Sequence, residues 1–396
     1  MATTSKPLIP VADVYAGINK ISSQYLGKEV ISGDVIDWVD FGSSYENLDS
    51  ATKQIVTSGL ITLVTDQLTV VKDFRGNGID IVRSSGPYSQ SEGLVQKNRP
   101  ALPQAVSDAA VYDPATGSTS DPFKNVPIAS ETEYFQRPLQ FRYEWTKPER
   151  WLTGAFLSAE GFNSFINGVD RMVSNALSLN IEAATMANIR ASMALNLATP
   201  GPRAYNLLAE FNTASGTTLT ADACMQSPDF LRYAIHRMFV VFDYMKSYTT
   251  FYNEKAYPQF STPDDMHFIL LSQFRRAMEQ FLLSDTFHDD YLKLPLGDSV
   301  AAWKGFLLDG TQPTFEATST INDTFNVSWE DQPITVNQSG ILGTIFSTER
   351  VGIHKLGITN TSQYDPVGLK TNYWTHVFGQ SIVDPYENGV TFYVAD

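Results

Sequence analysis

The sequence is poor in the residues that usually announce chemistry or a compartment. It holds one cysteine, Cys224, in 396 residues, which excludes an internal disulfide and any metal site built on several cysteines. It is short of positive charge: 28 Lys and Arg stand against 43 Asp and Glu, a formal net charge of −15. The chain as a whole therefore lacks the footprint of a nucleic-acid binder, although a local basic patch stays open. Charge of either sign is scarce, at 18% against ~25% in an ordinary soluble domain. No window approaches the ~18 uninterrupted apolar residues of a membrane helix. The opening MATTSKPLIPVADVY has no apolar signal core, so a soluble protein made inside the cell is expected. No repeat of fixed period is visible, which argues against solenoids and propellers.

The signatures of catalysis are missing too. There is no G-x-S-x-G, no Walker loop and no dinucleotide-type glycine loop; RGNG at 75–78 reads as a turn. The five histidines form no spaced set. His267 and His288 with Asp289 and Asp290 come nearest to a metal cluster; the blander reading is a strand-end histidine, a solvated helix-end histidine and surface acids. Carboxylate pairs for glycoside hydrolysis cannot be picked by spacing, because the partners come from distant segments. No catalytic, cofactor-binding or metal-binding residue is assigned, and a protein that is not an enzyme is expected. Four Asn-X-Ser/Thr sequons, at Asn322, Asn326, Asn337 and Asn360, read either as glycosylation acceptors of a secreted protein or as the Asn, Ser and Thr of β-turn regions.

What is present is aromatic: 12% Phe, Trp and Tyr. With so little charge, much of the surface is expected to be covered by partners. Residues 1 to about 45 are polar with scattered apolar anchors, as in an extended arm. NLDSATKQIVTSGLITLVT then carries a helical pattern through Ile55, Leu60, Leu63 and Val64. IDIV from Ile79 and EYFQRPLQFRYEW, Glu133 to Trp145, read as strands. The roughly forty Gly-, Pro-, Ser- and Asp-rich residues between them form a loop of a length that is uncommon inside compact domains. Together they predict a projecting β-hairpin arm. After it, apolar residues at Phe162, Phe165, Val169, Met172, Val173, Ala176, Leu177, Ile181, Ala184 and Ile189 recur at spacings of three and four. Ser158 is a candidate N-cap. Thirty-odd residues at ~1.5 Å each make a helix of roughly 50 Å.

Residues 205 to about 337 predict an α/β region. Ser227 and Pro228 are an N-cap and N1 pair opening a helix; MHFILLS is a buried strand, QFRRAMEQFLLSDTF a helix, and TFEATSTINDTFNVSW strand-forming. GTIFSTERVGIHKLG is β-rich. The stretch TNYWTHVFGQSIVDPYENGVTFYV, Thr371 to Val394, reads as two strands. They are broken at DPYENG, where Pro sets a turn and Asn-Gly is expected to supply a positive φ. Trp374 and Phe378 share one strand face by period two and are expected to pack on the long helix.

This order, with EYFQRPLQFRYEWTKPERWLTGAFLSAEGFNSFINGVDRMVSNAL and GLKTNYWTHVFGQSIVDPYENGVTFYV its most telling stretches, resembles the major capsid proteins of tailed bacteriophages. The resemblance is closest to short-tailed phages. It implies an α+β Hong Kong 97-type fold: residues 1–73 an N-terminal arm and helix, 74–148 an extended β-hairpin E-loop, 149–204 the P-domain spine helix, 205–337 an α/β A-domain, and 338–396 the C-terminal strands of the P-domain β-sheet. It further implies self-assembly into hexamers and pentamers of an icosahedral shell around the packaged genome. A separate scaffolding protein and a portal are implied partners, with double-stranded DNA contacted only non-specifically and no membrane. The chain would reside in the virion after synthesis in the host bacterial cytoplasm. Covalent cross-linking, where it occurs in such shells, joins Lys to Asn near a buried acid; Lys97 and Lys124 on the arm are the candidates. The alternative reading is a secreted or surface carbohydrate-binding or hydrolytic β-rich protein, motivated by the aromatics, acids and sequons.

Overall fold

The computed structural model describes residues 82–84, 95–100, 112–113, 118–119, 130–135, 138–148, 159–198, 201–283, 298–304, 314–325 and 333–396. The arm residues 1–73, the RGNG turn, Ser158, Asn326, His288, Asp289, Asp290 and Lys124 lie outside them.

The long apolar periodicity produces one continuous helix, α1 (Ala159–Ala198), of 40 residues, about 60 Å at 1.5 Å per residue. Its burial changes along its length. Ala176, Leu177 and Ile181 are half-buried, whereas every residue from Ala191 to Asn196 is buried. A helix covered on all sides must be apolar or small all round, and ASMALN meets that demand. α1 is the common support of the fold, touching strands from three different sheets.

Sheet I has four strands in the order β1 (Val82–Ser84), β13 (Val351–Asp365), β14 (Lys370–Val383) and β6 (Pro138–Pro148). β13 and β14 form a long antiparallel hairpin, and β6 pairs antiparallel with β14 from Lys370↔Pro148 to Gln380↔Pro138. Sheet II has five strands in the order β7 (Ala204–Asn206), β15 (Gly389–Tyr393), β12 (Ile341–Ser347), β8 (Met266–Leu271) and β9 (Asp298–Val300). β12 is buried along its whole length, so both faces of this sheet are covered and its sequence, ILGTIFS, shows no alternation. Three two-stranded ribbons complete the strands: β2 (Val95–Pro100) with β5 (Ser130–Phe135), β3 (Tyr112–Asp113) with β4 (Ser118–Thr119), and β10 (Ile321–Phe325) with β11 (Ile334–Gln338). Gly340, between β11 and β12, has φ 72°, and a side chain there would overlap the Val394 carbonyl; only glycine satisfies both conditions.

The helices of the α/β region are α2 (Leu207–Ser215), α3 (Ala221–Cys224), α4 (Pro228–Met245), α5 (Ser272–Leu283) and α6 (Phe315–Ser319). Ser227 caps α4 by accepting from the Phe230 amide at 3.4 Å with Pro228 at the first turn, as its sequence predicts. MHFILL and the helix after it also appear where expected.

Five expectations are corrected. TFEATSTINDTF does not begin as a strand: Thr314 accepts from the Ala317 amide and starts the short helix α6 before β10 follows. EYFQRPLQFRYEW is two strands, β5 and β6, that enter different sheets. Pro138 opens β6, the strand position where a missing amide is tolerated. The partner of the returning arm strand β5 is Val95–Pro100, not the strand at Ile79–Val82, whose described end joins β13 in parallel. The two strands of the C-terminal stretch also separate, β14 to sheet I and β15 to sheet II, though both lie against α1. Trp374 and Phe378 do share a face of β14, but it is the outer one; Thr371, Tyr373, Thr375 and Val377 are the buried set, and Phe378 is 37% exposed.

The inner face is fixed by polar groups as well as apolar ones. Tyr143 of β6 stands opposite Thr375 and donates to the Ala176 carbonyl of α1 at 3.3 Å, while Asn180 donates to the Tyr143 hydroxyl at 2.9 Å. Tyr373 stacks on Trp145 with ring centroids 4.4 Å apart. Tyr373→Ala is therefore expected to destabilise the chain by ~3 kcal/mol, the usual cost of emptying a buried aromatic site. Trp374→Ala, on the outer face, should cost less than half of that. Urea denaturation of the two variants measures the difference, and equal losses would refute this assignment of faces.

Candidate functional site

The strand order makes the chain cross between the sheets twice. It passes from β12 to β13 through Thr348–Arg350, and back from β14 to β15 through Asp384–Asn388. The two crossovers lie side by side, with the Asp384 amide donating to the Arg350 carbonyl at 2.8 Å. Around them gather Lys97 and Arg99 from β2, Glu133 from β5, Ser192 and Asn196 from α1, and the loop from Tyr252 to Gln259.

Arg350 has no exposed surface. All five of its N–H groups have acceptors: Nε donates to Ser192 Oγ at 2.7 Å, Nη1 to Glu254 Oε2 at 3.1 Å and to the Glu387 carbonyl, and Nη2 to Asn196 Oδ1 at 2.9 Å and Glu254 Oε1 at 2.7 Å. A buried guanidinium is tolerable only when so completely paired. Its space comes from Gly389, where a Cβ would stand under 3.0 Å from Arg350 Nε, Cδ and Cζ. The expectation that Asn-Gly supplies a positive φ does not hold, since Gly389 is absent from the positive-φ positions. The glycine is required for close approach instead.

Asp384, also without exposure, is the second centre. Its Oδ1 accepts from the Tyr386 amide at 3.0 Å, closing the DPYENG turn. Its Oδ2 accepts from Lys97 Nζ at 2.8 Å and from Arg99 Nη2. Lys97 also reaches the Glu349 carbonyl at 2.7 Å, and the Arg99 guanidinium lies 4.6 Å from the Tyr386 ring centroid. Glu387 accepts from Ser347 Oγ at 3.1 Å and from Gln259. Burial first, and the charge of Asp384 second, raise the Glu387 carboxyl above its ordinary value. Burial lowers the Arg203 guanidinium, against the pull of Glu254 at 3.8 Å.

This arrangement joins elements rather than transforming a substrate. Asp384, Glu254 and Glu387 are occupied by cations, amides or hydroxyls. DPYENG is a turn as read, but a buried and charged one, which the sequence reading did not assign. Its legible signal was the pairing of acids with a strand-breaking Pro inside an otherwise apolar tail. Lys97, a cross-link candidate, is engaged by Asp384 and Glu349, and no Asn side chain is among its described partners. His267 is the second residue of β8, its ring 5.4 Å from that of Phe346, and among the described residues no group of His, Cys, Asp and Glu has the makings of a metal site. Cys224 is buried, its thiol pushed up to about 12 chiefly by burial, so it is an inert packing residue. Of the sequons, Asn322 and Asn337 face each other across β10 and β11, and Asn360 lies on β13.

Gly389→Ala should lower stability by about 1–3 kcal/mol, the range for forcing a methyl group into a filled interior. Chemical denaturation measures this, and an unchanged midpoint would refute the close approach to Arg350.

Comparison with known proteins agrees with this non-catalytic picture. The sequence profile of the Phi29-like phage major capsid proteins matches residues 99–393. No curated protein sequence matches the chain. Among solved structures, the chain is similar to one from the capsid of Staphylococcus phage Andhra, at 11% identity and TM-score 0.49 over 81% of this chain and 85% of that one. It is also similar to a chain from a structure of the head fibre and inner core protein of bacteriophage P68, at 9% identity and TM-score 0.45 over 80% and 86%. A third, from the capsid of cyanophage P-SCSP1u, gives 12% identity and TM-score 0.38 over 83% and 93%. The profile match extends from Arg99 in the arm, through α1 and both crossovers, to Tyr393 at the end of β15, and so the chain belongs to the Phi29-like phage major capsid protein family.

Proposed function

We propose that this shell-forming subunit assembles as hexameric and pentameric rings that close into an icosahedral capsid around packaged double-stranded DNA. The capsid role itself follows from family membership over residues 99–393, and the chain is accordingly a structural component of the virion. That match is the observation that carries the reading. The carbohydrate-binding alternative has no support beside it.

Support for ring assembly comes from where apolar surface is left uncovered. Tyr244, Tyr248, Phe251 and Phe260 are exposed around the end of α4 and the following loop. At the far tip of the β13–β14 hairpin, Val367 is 94% exposed and Leu369 also faces solvent. Large exposed apolar groups mark interaction surfaces. Two such surfaces at different places on one subunit suit head-to-tail contacts, which close into rings. The net charge of −15 suits DNA that must slide during packing and ejection, because a surface poor in cations does not hold phosphates.

The finer partition is proposed with it: an N-terminal arm and helix to residue 73, an E-loop over 74–148, a spine helix over 149–204, an A-domain over 205–337 and P-domain strands over 338–396. Sheet II draws strands from both sides of the last boundary. We include in the proposal a separate scaffolding protein and a portal as partners, and synthesis in the host bacterial cytoplasm.

Two measurements test this reading. Size-exclusion chromatography and electron microscopy of the purified chain should find rings or closed shells, and a stable monomer at every concentration would overturn it. Replacing residues 101–129 with a short Gly-Ser turn keeps Lys97, Arg99 and Glu133. The variant is expected to melt as the parent does and to fail in shell formation; normal shells would refute the role of the arm in assembly.

A further inference from the structure

The described strands of the arm are fastened to the body through charged side chains. Among the described residues, β2 and β5 pair only with each other. Beside the buried Phe135 of β5, charge ties them down, through Lys97 and Arg99 on Asp384 and Lys97 on the Glu349 carbonyl. Glu133 of β5 is the cross-strand partner of Lys97. Its Oε2 lies 3.5 Å from Arg99 Nη1, yet that oxygen is buried and accepts no hydrogen bond among the described residues. Lys97 and Arg99 Nη2 are committed to Asp384, and Arg99 Nη1 stands beside Glu133 Oε2 without a hydrogen bond, so that two cations serve three carboxylates, Asp384, Glu133 and Glu387, and Glu133 is the one in surplus. A proton is the group that satisfies such an oxygen.

We propose that the arm is held by a proton-coupled latch: as the hairpin docks on the Asp384 turn, Glu133 takes up a proton, so docking tightens as the pH falls through neutrality and loosens as it rises. The charged groups that act on Glu133 come from three elements: Lys97 and Arg99 from β2, Asp384 from the DPYENG turn and Lys255 from the loop before β8. Glu387 and Glu349 join the cluster through Arg99 and Lys97. Arg350 is consumed by Glu254, the Glu387 carbonyl and α1. Burial first and Asp384 second push the Glu133 carboxyl up to about 7, against the opposing pull of Arg99, Lys255 and Lys97.

The sign follows from linkage. With the arm undocked, Glu133 meets water and ionises near its ordinary value of 4.5. Between that value and about 7 the docked state holds a proton that the undocked state has released. Docking is therefore favoured most at the acid end of the window and is progressively lost as pH climbs through it. From pH 6 to pH 8 the opening equilibrium should rise about tenfold.

Hydrogen–deuterium exchange of the full chain, corrected for the intrinsic pH dependence of exchange, reads this directly at residues 95–100 and 130–135. The wild type should lose protection about tenfold between pH 6 and pH 8, while strands β12 and β15 stay level. Glu133→Gln, a neutral near-isostere, should give protection in the arm that does not change with pH. Glu387→Gln should retain the wild-type dependence. Three results would overturn the latch: arm protection in the wild type that is level with pH, a Glu133→Gln variant that still loosens, or a dependence abolished by Glu387→Gln and left intact by Glu133→Gln.

Discussion

A guanidinium with no access to water governs this fold. Arg350 stands where the chain leaves sheet II for sheet I, and its donors reach α1, the loop carrying Glu254 and the turn by which the chain returns. Each acceptor is consequently fixed in position by the need to keep that charge satisfied; removing one partner from a buried pair costs more than the pair contributes. The absence of a side chain at Gly389, the polar Ser192 and Asn196 within the most buried part of α1, and the half-buried Glu254 all answer to this one residue. Asp384 plays the reciprocal part for the arm, gathering Lys97 and Arg99 on a carboxylate with no exposure. The body is thus closed by one buried cation, and the β2–β5 ribbon is held by one buried anion whose amide bonds that cation's own carbonyl.

How legible this was depended on the range of the interaction concerned. Elements set by local periodicity were plain: the long helix from its three-and-four spacing, α4 from Ser227 and Pro228, β8 and α5 from their compositions. Parity was also plain, since Trp374 and Phe378 do share a face. Which face pointed inward was not, because both sets, Trp374 with Phe378 and Tyr373 with Val377, are aromatic or apolar. What decides between them is the register with β6 and the position of Asn180, neither of which is local. The same holds for strand partners. VQKNRP has little β-propensity, and its pairing with β5 is set by Lys97 and Arg99 meeting an acidic turn hundreds of residues away. The charged cluster was the least legible feature, because its members are scattered from Lys97 to Glu387 and no spacing rule connects them. In hindsight the one local sign was an Asp and a Glu inside an otherwise apolar tail.

The outer face of sheet I carries a further contrast. Trp374 and Phe378 flank His376, whose ring is parallel to that of Phe378 with centroids 6.3 Å apart. A row of rings on the open side of a long sheet is unusual for a lone subunit and ordinary for one that is covered in an assembly. The low overall charge points the same way, and the two observations are independent, one being compositional and the other positional.

The place of β15 also dictates the order in which the molecule is able to form. It lies between β7 and β12, yet it follows every other strand of sheet II in the chain. During synthesis β7, β8, β9 and β12 emerge with the slot between β7 and β12 unfilled, and Arg350 emerges well before the Glu387 carbonyl and the gap at Gly389 that receive it. Sheet II is therefore completed only after residue 393 has left the ribosome, and until then β7 and β12 present unpaired edges of the kind that recruit strands from other chains. A protein made in the large numbers a shell requires passes through that interval in every copy. The speed with which Gly389 to Tyr393 enters its slot is thus a factor in how much newly made chain reaches the capsid rather than an aggregate.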